Sequence, residues 1–240
     1  MSAPRTALHL LAPPRPDHLR DRFPAFTVQA GTKVFRCHSA TRGPLWFANG
    51  GHGRFDLADP DGTCYTAESE QITLLETWGG MRVVPSTELR TRAVTRLQVA
   101  DTRVLADLTS NSAAQFGVTA EIFTTGNYQL TQLWASALRS AGFAGIRYWA
   151  RHDLAHTHAC LALFDAAGAH TSAGEDPQSY AVTTTDALSE RPDLIDALQR
   201  DTGITVLPVP PSLRPSDGAE EGERVARMPF VHSNGIHAPC

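Results

Sequence analysis

Prolines crowd both ends of this chain and so bound the stretch in which regular structure can form. Pro4, Pro13, Pro14, Pro16 and Pro24 fall within the first 30 residues, and Pro208, Pro210, Pro211 and Pro215 follow residue 207. Proline donates no backbone N–H and steers its predecessor away from helix. Residues 1–30 are therefore expected to form an irregular lead-in and 31–207 a single folded domain. Residues 208–240 add Asp217, Glu220, Glu221 and Glu223 to their prolines. That composition buries too little apolar surface to offset its ordering entropy, so a flexible tail is expected there.

Inside the proline-bounded zone the elements are short and mixed. Lys33–Cys37 and Thr63–Thr66 alternate as strands, the second after the turn pair Asp61-Gly62. A helix is expected from Glu68 to Trp78, stopped by Gly79-Gly80. Met81–Val84 and Arg96–Val99 suggest strands, and Asp101 is placed to cap a short helix running to Leu108. The strongest periodicity lies between Asn127 and Ser140. Leu130, Leu133, Trp134, Ala137 and Leu138 repeat at helical spacing, Asn127 can cap them, and Gly142 ends the run. Two further strands, Gly145–Ala150 and Ala159–Phe164, precede a last helix, Pro192–Arg200, which opens on proline and stops near Gly203. Strands and helices do not alternate in βαβ units, so an α+β fold is expected, with short strands and peripheral helices.

Charge narrows the partners. The 240 residues carry a net charge of −4, and 20 of the 21 basic residues are arginine, Lys33 being the one lysine. With acidic residues in excess and no basic block, direct nucleic-acid binding is not expected. No apolar run is long enough to span a bilayer, and the short Ala7–Ala12 run ends at Pro13-Pro14. The four cysteines, at 37, 64, 160 and 240, show no C-x-x-C spacing. A cytoplasmic protein with reduced thiols is the expectation.

Several residues invite chemistry. Glu76 sits one turn after Ile72, at the edge of the apolar stripe of its helix. A carboxylate aimed inward is costly unless it is paired or reactive. Arg36, mid-strand beside Phe35, faces either solvent or a cleft. Gly50-Gly51-His52-Gly53-Arg54-Phe55 lacks the G-K-[ST] of a P-loop, but its glycines can let backbone and Arg54 approach an anion closely. His152, His156 and His158 have no H-E-x-x-H glutamate, so no metal is expected. No G-x-S-x-G elbow is present for acyl chemistry.

In chain order, seven pieces resemble the RES-domain family, the toxin half of Xre–RES toxin–antitoxin systems. They are Gly31–Arg36, Gly53–Asp56, Gly62–Ala67, Leu75–Thr77, Asn127–Ala135, Gly145–Asp153 and Cys160–Phe164. Arg54 to Tyr65 and Tyr65 to Glu76 are each eleven residues, the spacing expected in that family. One position departs from it: Ala150 stands where the family's Y-x-S-R segment has serine, with Ser39 and Thr66 as possible substitutes.

The resemblance implies a single mixed domain with an ADP-ribosyltransferase-like fold. It also implies an NAD-degrading enzyme that cleaves the nicotinamide–ribose bond, as a glycohydrolase with water or a phosphorylase with phosphate. NAD would be the substrate, with no separate cofactor. Glu76 and Arg36 would be catalytic, and Arg36, Arg54, Tyr65, Tyr128 and Ala150 would bind NAD. An Xre-type helix-turn-helix antitoxin would restrain the enzyme, and homo-oligomer formation is left open. Two alternatives stay beside this one. The first is a catalytically weakened RES-fold binding module, motivated by Ala150, and the second is transfer of ADP-ribose to a macromolecule.

Overall fold

A computed structural model describes residues 9–170 and 180–209. Its elements in chain order begin with α1 (Pro16–Leu19), β1 (Ala25–Val28), β2 (Lys33–Ser39), β3 (Trp46–Phe47), β4 (Asp61–Ala67) and α2 (Glu70–Trp78). Next come β5 (Val83–Pro85), α3 (Ser86–Thr91), β6 (Arg92–Val99), β7 (Arg103–Asp107), α4 (Glu121–Thr124) and α5 (Tyr128–Ser140). The chain continues through β8 (Gly145–Trp149), β9 (Ala159–Ala166), β10 (Gly168–Ala169), β11 (Tyr180–Ala187), α6 (Pro192–Thr202) and β12 (Thr205–Leu207). The α+β class expected from the sequence is what forms.

Eight strands make one sheet in the order β1-β7-β8-β9-β4-β2-β6-β11, in which only β7 and β8 run parallel. The joint between β4 and β2 is narrow: Phe35 and Ala67 are their only paired residues, whereas β4–β9 and β2–β6 each pair over seven. The sheet therefore splays in its middle. Because strand side chains alternate, each face collects its own core. One face carries Cys37, Ala67, Ile146, Tyr148, Cys160 and Ala162 against the helices, with Leu74 and Trp78 of α2 and Trp134 and Leu138 of α5 buried there. The other face holds a smaller cluster around Val34, Phe47, Cys64, Leu97, Leu161 and Tyr180.

Helix α5 forms where its apolar stripe predicts, and Asn127 Oδ1 accepts the Leu130 amide at 3.3 Å as its N-cap. Helix α2 buries Thr73 and Thr77 by turning their hydroxyls onto the carbonyls of Glu70 and Thr73, at 2.7 and 2.8 Å. Helix α6 opens on Pro192 and ends at Gly203, whose φ of 71° suits glycine.

Two expectations are corrected. The helix expected to follow Asp101 is strand β7, which buries Leu105 and Ala106 between β1 and β8 while Val104 stays exposed. The lead-in is also not irregular throughout. Residues 25–28 pair with β7, and Leu10, Leu19 and Phe23 sit in the main core, Phe23 lying 5.0 Å from the Phe116 ring. Of the expected tail, residues 210–240 lie outside the described residues. Among the described residues no helix is long and apolar enough to cross a membrane.

Candidate active site

The C-terminal half of α2 brings Glu76 to the end of β8. There Glu76 Oε1 accepts the backbone N–H of Arg151 at 3.1 Å, and Oε2 accepts the hydroxyl of Tyr148 at 3.4 Å. The residue keeps a little surface, yet burial pushes its carboxyl above the usual carboxylate range. The Arg151 amide, the Arg54 charge and the Tyr148 hydroxyl pull in the opposite direction. Tyr148 itself is 3% exposed, lies edge-on to Phe55 at 5.0 Å, and is raised well above an ordinary phenol by burial. It is a fixed, protonated donor at neutral pH.

Arginines flank the carboxylate. Arg54 Nη1 donates to Ile122 O (3.3 Å) and Thr125 O (2.8 Å), and its guanidinium lies over the Tyr128 ring at 5.0 Å. Burial lowers its pKa from the usual arginine value. Arg151 Nη2 donates to Thr124 O. One turn of chain at the end of α4 thus holds both guanidinium groups through three carbonyls. A guanidinium has five N–H donors, so each arginine keeps donors for an anion. The turn is itself anchored from the N-terminal segment: Glu121 Oε2 accepts the Leu10 amide at 2.7 Å, and Trp134 Nε1 donates to Leu11 O at 2.8 Å.

The glycine loop before Arg54 is tightly specified. Asp56 Oδ2 accepts the Gly53 amide at 2.9 Å, and Asp56 Oδ1 accepts the Tyr65 hydroxyl at 2.8 Å. That hydroxyl in turn accepts the Phe55 amide at 2.9 Å. A Cβ at position 53 would collide with the Asp56 carboxylate and the Tyr65 hydroxyl, which explains the glycine. Burial first, and the Asp56 carboxylate second, push the Tyr65 phenol well up. From the other side, Gln132 Nε2 donates to Gly51 O (2.9 Å) and Gly53 O (2.8 Å). Glu76, Arg54, Tyr65 and Tyr128 are thereby brought to one region, with Tyr148 and Arg151 added to it.

Arg36 is not brought there. It alternates with Phe35 and Cys37 and so faces the smaller core, on the opposite side of the sheet from Glu76. Its side chain is buried at the splay between β2 and β4, where Nη1 donates to Pro44 O (3.0 Å), Trp46 O (2.9 Å) and Cys64 Sγ. Neither solvent nor cleft claims it. Ala150 is 2% exposed, and its methyl packs in the main core. Of the possible substitutes for the missing serine, Thr66 Oγ1 donates to Leu161 O, and the Ser39 hydroxyl pairs with Thr41 at the surface.

The family model of the RES domain matches residues 33–185. The chain belongs to the RES-domain family. Its fold is similar to that of a chain in the crystal structure of the M. tuberculosis MbcT–MbcA toxin–antitoxin complex. The TM-score is 0.53 at 16% identity, over 70% of this chain and 91% of that one. No curated protein matches.

In this RES domain the hydroxyl that reaches the carboxylate is that of Tyr148, two residues before the alanine that replaces the serine. The sequence placed Tyr148 inside a motif but gave it no task, because only the alternation of β8 decides that it faces Glu76. The turn at Ile122–Thr125 was equally hidden, since it acts through backbone carbonyls and leaves no residue-type signature. The three histidines disperse. His152 packs its ring against Gly79 and Gly80, and His156 stacks on Trp149 at 5.0 Å. Among the described residues no group of three or more His, Cys, Asp or Glu side chains could hold a metal ion.

Proposed function

We propose that this RES domain degrades NAD by breaking the bond between ribose C1′ and the nicotinamide nitrogen. The observation that carries the reading is the Glu76 carboxylate, held by the Arg151 amide and the Tyr148 hydroxyl with Arg54 close enough to influence its charge. Nicotinamide leaves with the bonding electron pair, which neutralises its own pyridinium charge, so no proton has to be delivered to it. The positive charge passes to the ribose as an oxocarbenium-like species. A fixed carboxylate in a partly desolvated site stabilises that charge without reorganising. The acceptor oxygen, from water or phosphate, then bonds to C1′ and releases its proton.

The other residues fit the rest of the substrate. Arg54 and Arg151 have guanidinium donors to spare for a pyrophosphate, and Tyr65 and Tyr128 supply aromatic surface for the nicotinamide side, while the buried Tyr148 acts only through its hydroxyl on Glu76. Arg36 is left out of this mechanism. The test is nicotinamide release from NAD by the purified protein, followed in phosphate-free and phosphate buffers. Free ADP-ribose as product marks the glycohydrolase, and a phosphorylated ADP-ribose the phosphorylase. Radiolabel from NAD retained on protein or nucleic acid would instead favour transfer to a macromolecule.

The chemistry calls for restraint, because an unchecked NAD-degrading enzyme harms its own cell. The partner fitting this reading is an Xre-type helix-turn-helix antitoxin that covers the cleft. The fold likeness to a chain solved in a toxin–antitoxin complex supports an antitoxin as partner.

Ala150 favours a second reading, a weakened RES domain retained to bind NAD or a partner. Ala150→Ser separates the two. A sharp rise in turnover assigns the defect to the missing hydroxyl, whereas no gain with NAD still bound in calorimetry favours the binder.

A further inference from the structure

Outside the arginine–carboxylate region, the glycine loop has a second side. Between that side and the outer face of α5 lies a groove of about 390 Å³ whose walls include Asn49, Leu57, Gln129, Gln132, Leu133 and Ser136. Gln132 is shared between groove and site. It holds the loop by donating to the carbonyls of Gly51 and Gly53, which spends its NH2 group and leaves the amide oxygen as an acceptor. Leu133 lies beside it and is 56% exposed, an apolar residue on an otherwise polar helix face.

The groove and the arginine site are one helical turn apart. Tyr128, under the Arg54 guanidinium, and Gln132, in the groove wall, stand four residues apart on α5. Residues at that spacing are neighbours on a helix surface, about 6 Å between Cβ atoms. A ligand whose anionic centre sits at Arg54 can therefore lay its next group over Tyr128 and into the groove. The groove itself offers side-chain amides and a hydroxyl between apolar walls, its lining includes no cationic side chain, and its one carboxylate, Asp56, is already held by the Gly53 amide and the Tyr65 hydroxyl. Such a lining suits a flat, neutral, hydrogen-bonding heterocycle: amides pair with the amine and ring nitrogens of adenine, and Leu57 and Leu133 cover its faces.

We propose that this groove binds the adenosine half of the dinucleotide. Pyrophosphate would then sit at Arg54 and the nicotinamide riboside end at Glu76. The assignment rests on the NAD-degrading reading and deepens it.

The test compares NAD with nicotinamide mononucleotide, which keeps the reacting bond but lacks the adenosine. Ser136→Trp fills the groove from an exposed helix position, and Leu133→Ala removes one apolar wall. Ser136→Trp should raise KM for NAD at least tenfold and Leu133→Ala two- to threefold. In both variants kcat should stay within twofold of wild type, and kcat/KM for the mononucleotide should be unchanged. AMP should compete with NAD in the wild type and lose that competition in Ser136→Trp. Equal losses on both substrates, no loss on either, or a wild type that uses both equally well would overturn the groove assignment alone. A wild type that degrades neither would overturn the NAD reading and the groove with it.

Discussion

Removing the guanidinium of Arg36 should cost stability and spare chemistry. The family resemblance implies a catalytic arginine at this position, whereas the structure buries it at the splay of the sheet, donating to Pro44 O, Trp46 O and Cys64 Sγ. Arg36→Met keeps much of the aliphatic volume and deletes the donors. A hydrogen bond from a charged donor is worth about 1.5–3 kcal/mol, so two carbonyls losing their partner put roughly 3–6 kcal/mol at risk. Methionine recovers part of this, because no charge then has to be desolvated, leaving a net loss of about 2–4 kcal/mol. For a domain of this size that lowers Tm by roughly 5–15 °C. Arg36→Lys should rescue part of the loss, since all three bonds come from one nitrogen, Nη1, and an ammonium also carries three N–H donors on a single nitrogen. Thermal and urea unfolding give the stability, and NAD turnover per folded molecule, measured well below the variant's Tm, gives the chemistry. The reasoning is refuted if Arg36→Met unfolds at the wild-type temperature while turnover collapses, because the guanidinium would then be serving the substrate.

Tyr148→Phe removes the hydroxyl that stabilises ionised Glu76, so kcat should fall about fivefold, the worth of a long hydrogen bond near 1 kcal/mol. The acid limb of its pH–rate profile should also move to higher pH, and an unmoved limb would detach Tyr148 from Glu76. Burial raises the Glu76 carboxyl above its unfolded value, so its favourable share of stability is complete below the ordinary carboxylate pKa and is lost as pH rises through the folded value. Glu76→Gln should accordingly be more stable than wild type at neutral pH and lose that advantage as the pH falls from the raised folded value to the ordinary carboxylate value; urea titrations at several pH values check the sign. Glu121→Ala should loosen the turn that holds Arg54 and Arg151, raising KM for NAD severalfold and lowering Tm by only about 2–4 °C. Glu121→Gln, which keeps an acceptor for the Leu10 amide, should restore KM.

What the sequence made legible follows from what periodicity and motif spacing encode. Helix α5 declared itself through a stripe, an Asn cap and a terminating glycine, each a local signal that the tertiary structure leaves intact. Glu76 was legible for the same reason: its place on the edge of an apolar stripe is a property of helix geometry. Arg36 was misplaced because alternation separates two faces without saying which faces the site. Both faces of this sheet are covered, so a buried arginine fits either. Strand β7 looked like a capped helix because Arg103–Asp107 is short, and its ladder with β1 and β8 outweighs local propensity. β1 hid inside the proline-rich lead-in, where only pairing with β7 reveals it. The backbone carbonyls that grip Arg54 and Arg151 belong to residues of no particular type, and no reading of side chains would find them.

The central claim, a Glu76-dependent loss of NAD, is tested most directly by one paired measurement. Wild-type protein and Glu76→Gln, each shown folded by its unfolding transition, are incubated with NAD, and released nicotinamide is quantified. Nicotinamide accumulating with wild type and at least a hundredfold more slowly with Glu76→Gln is the predicted result. Intact NAD after prolonged incubation with concentrated wild-type protein, or equal release by the variant, would contradict it.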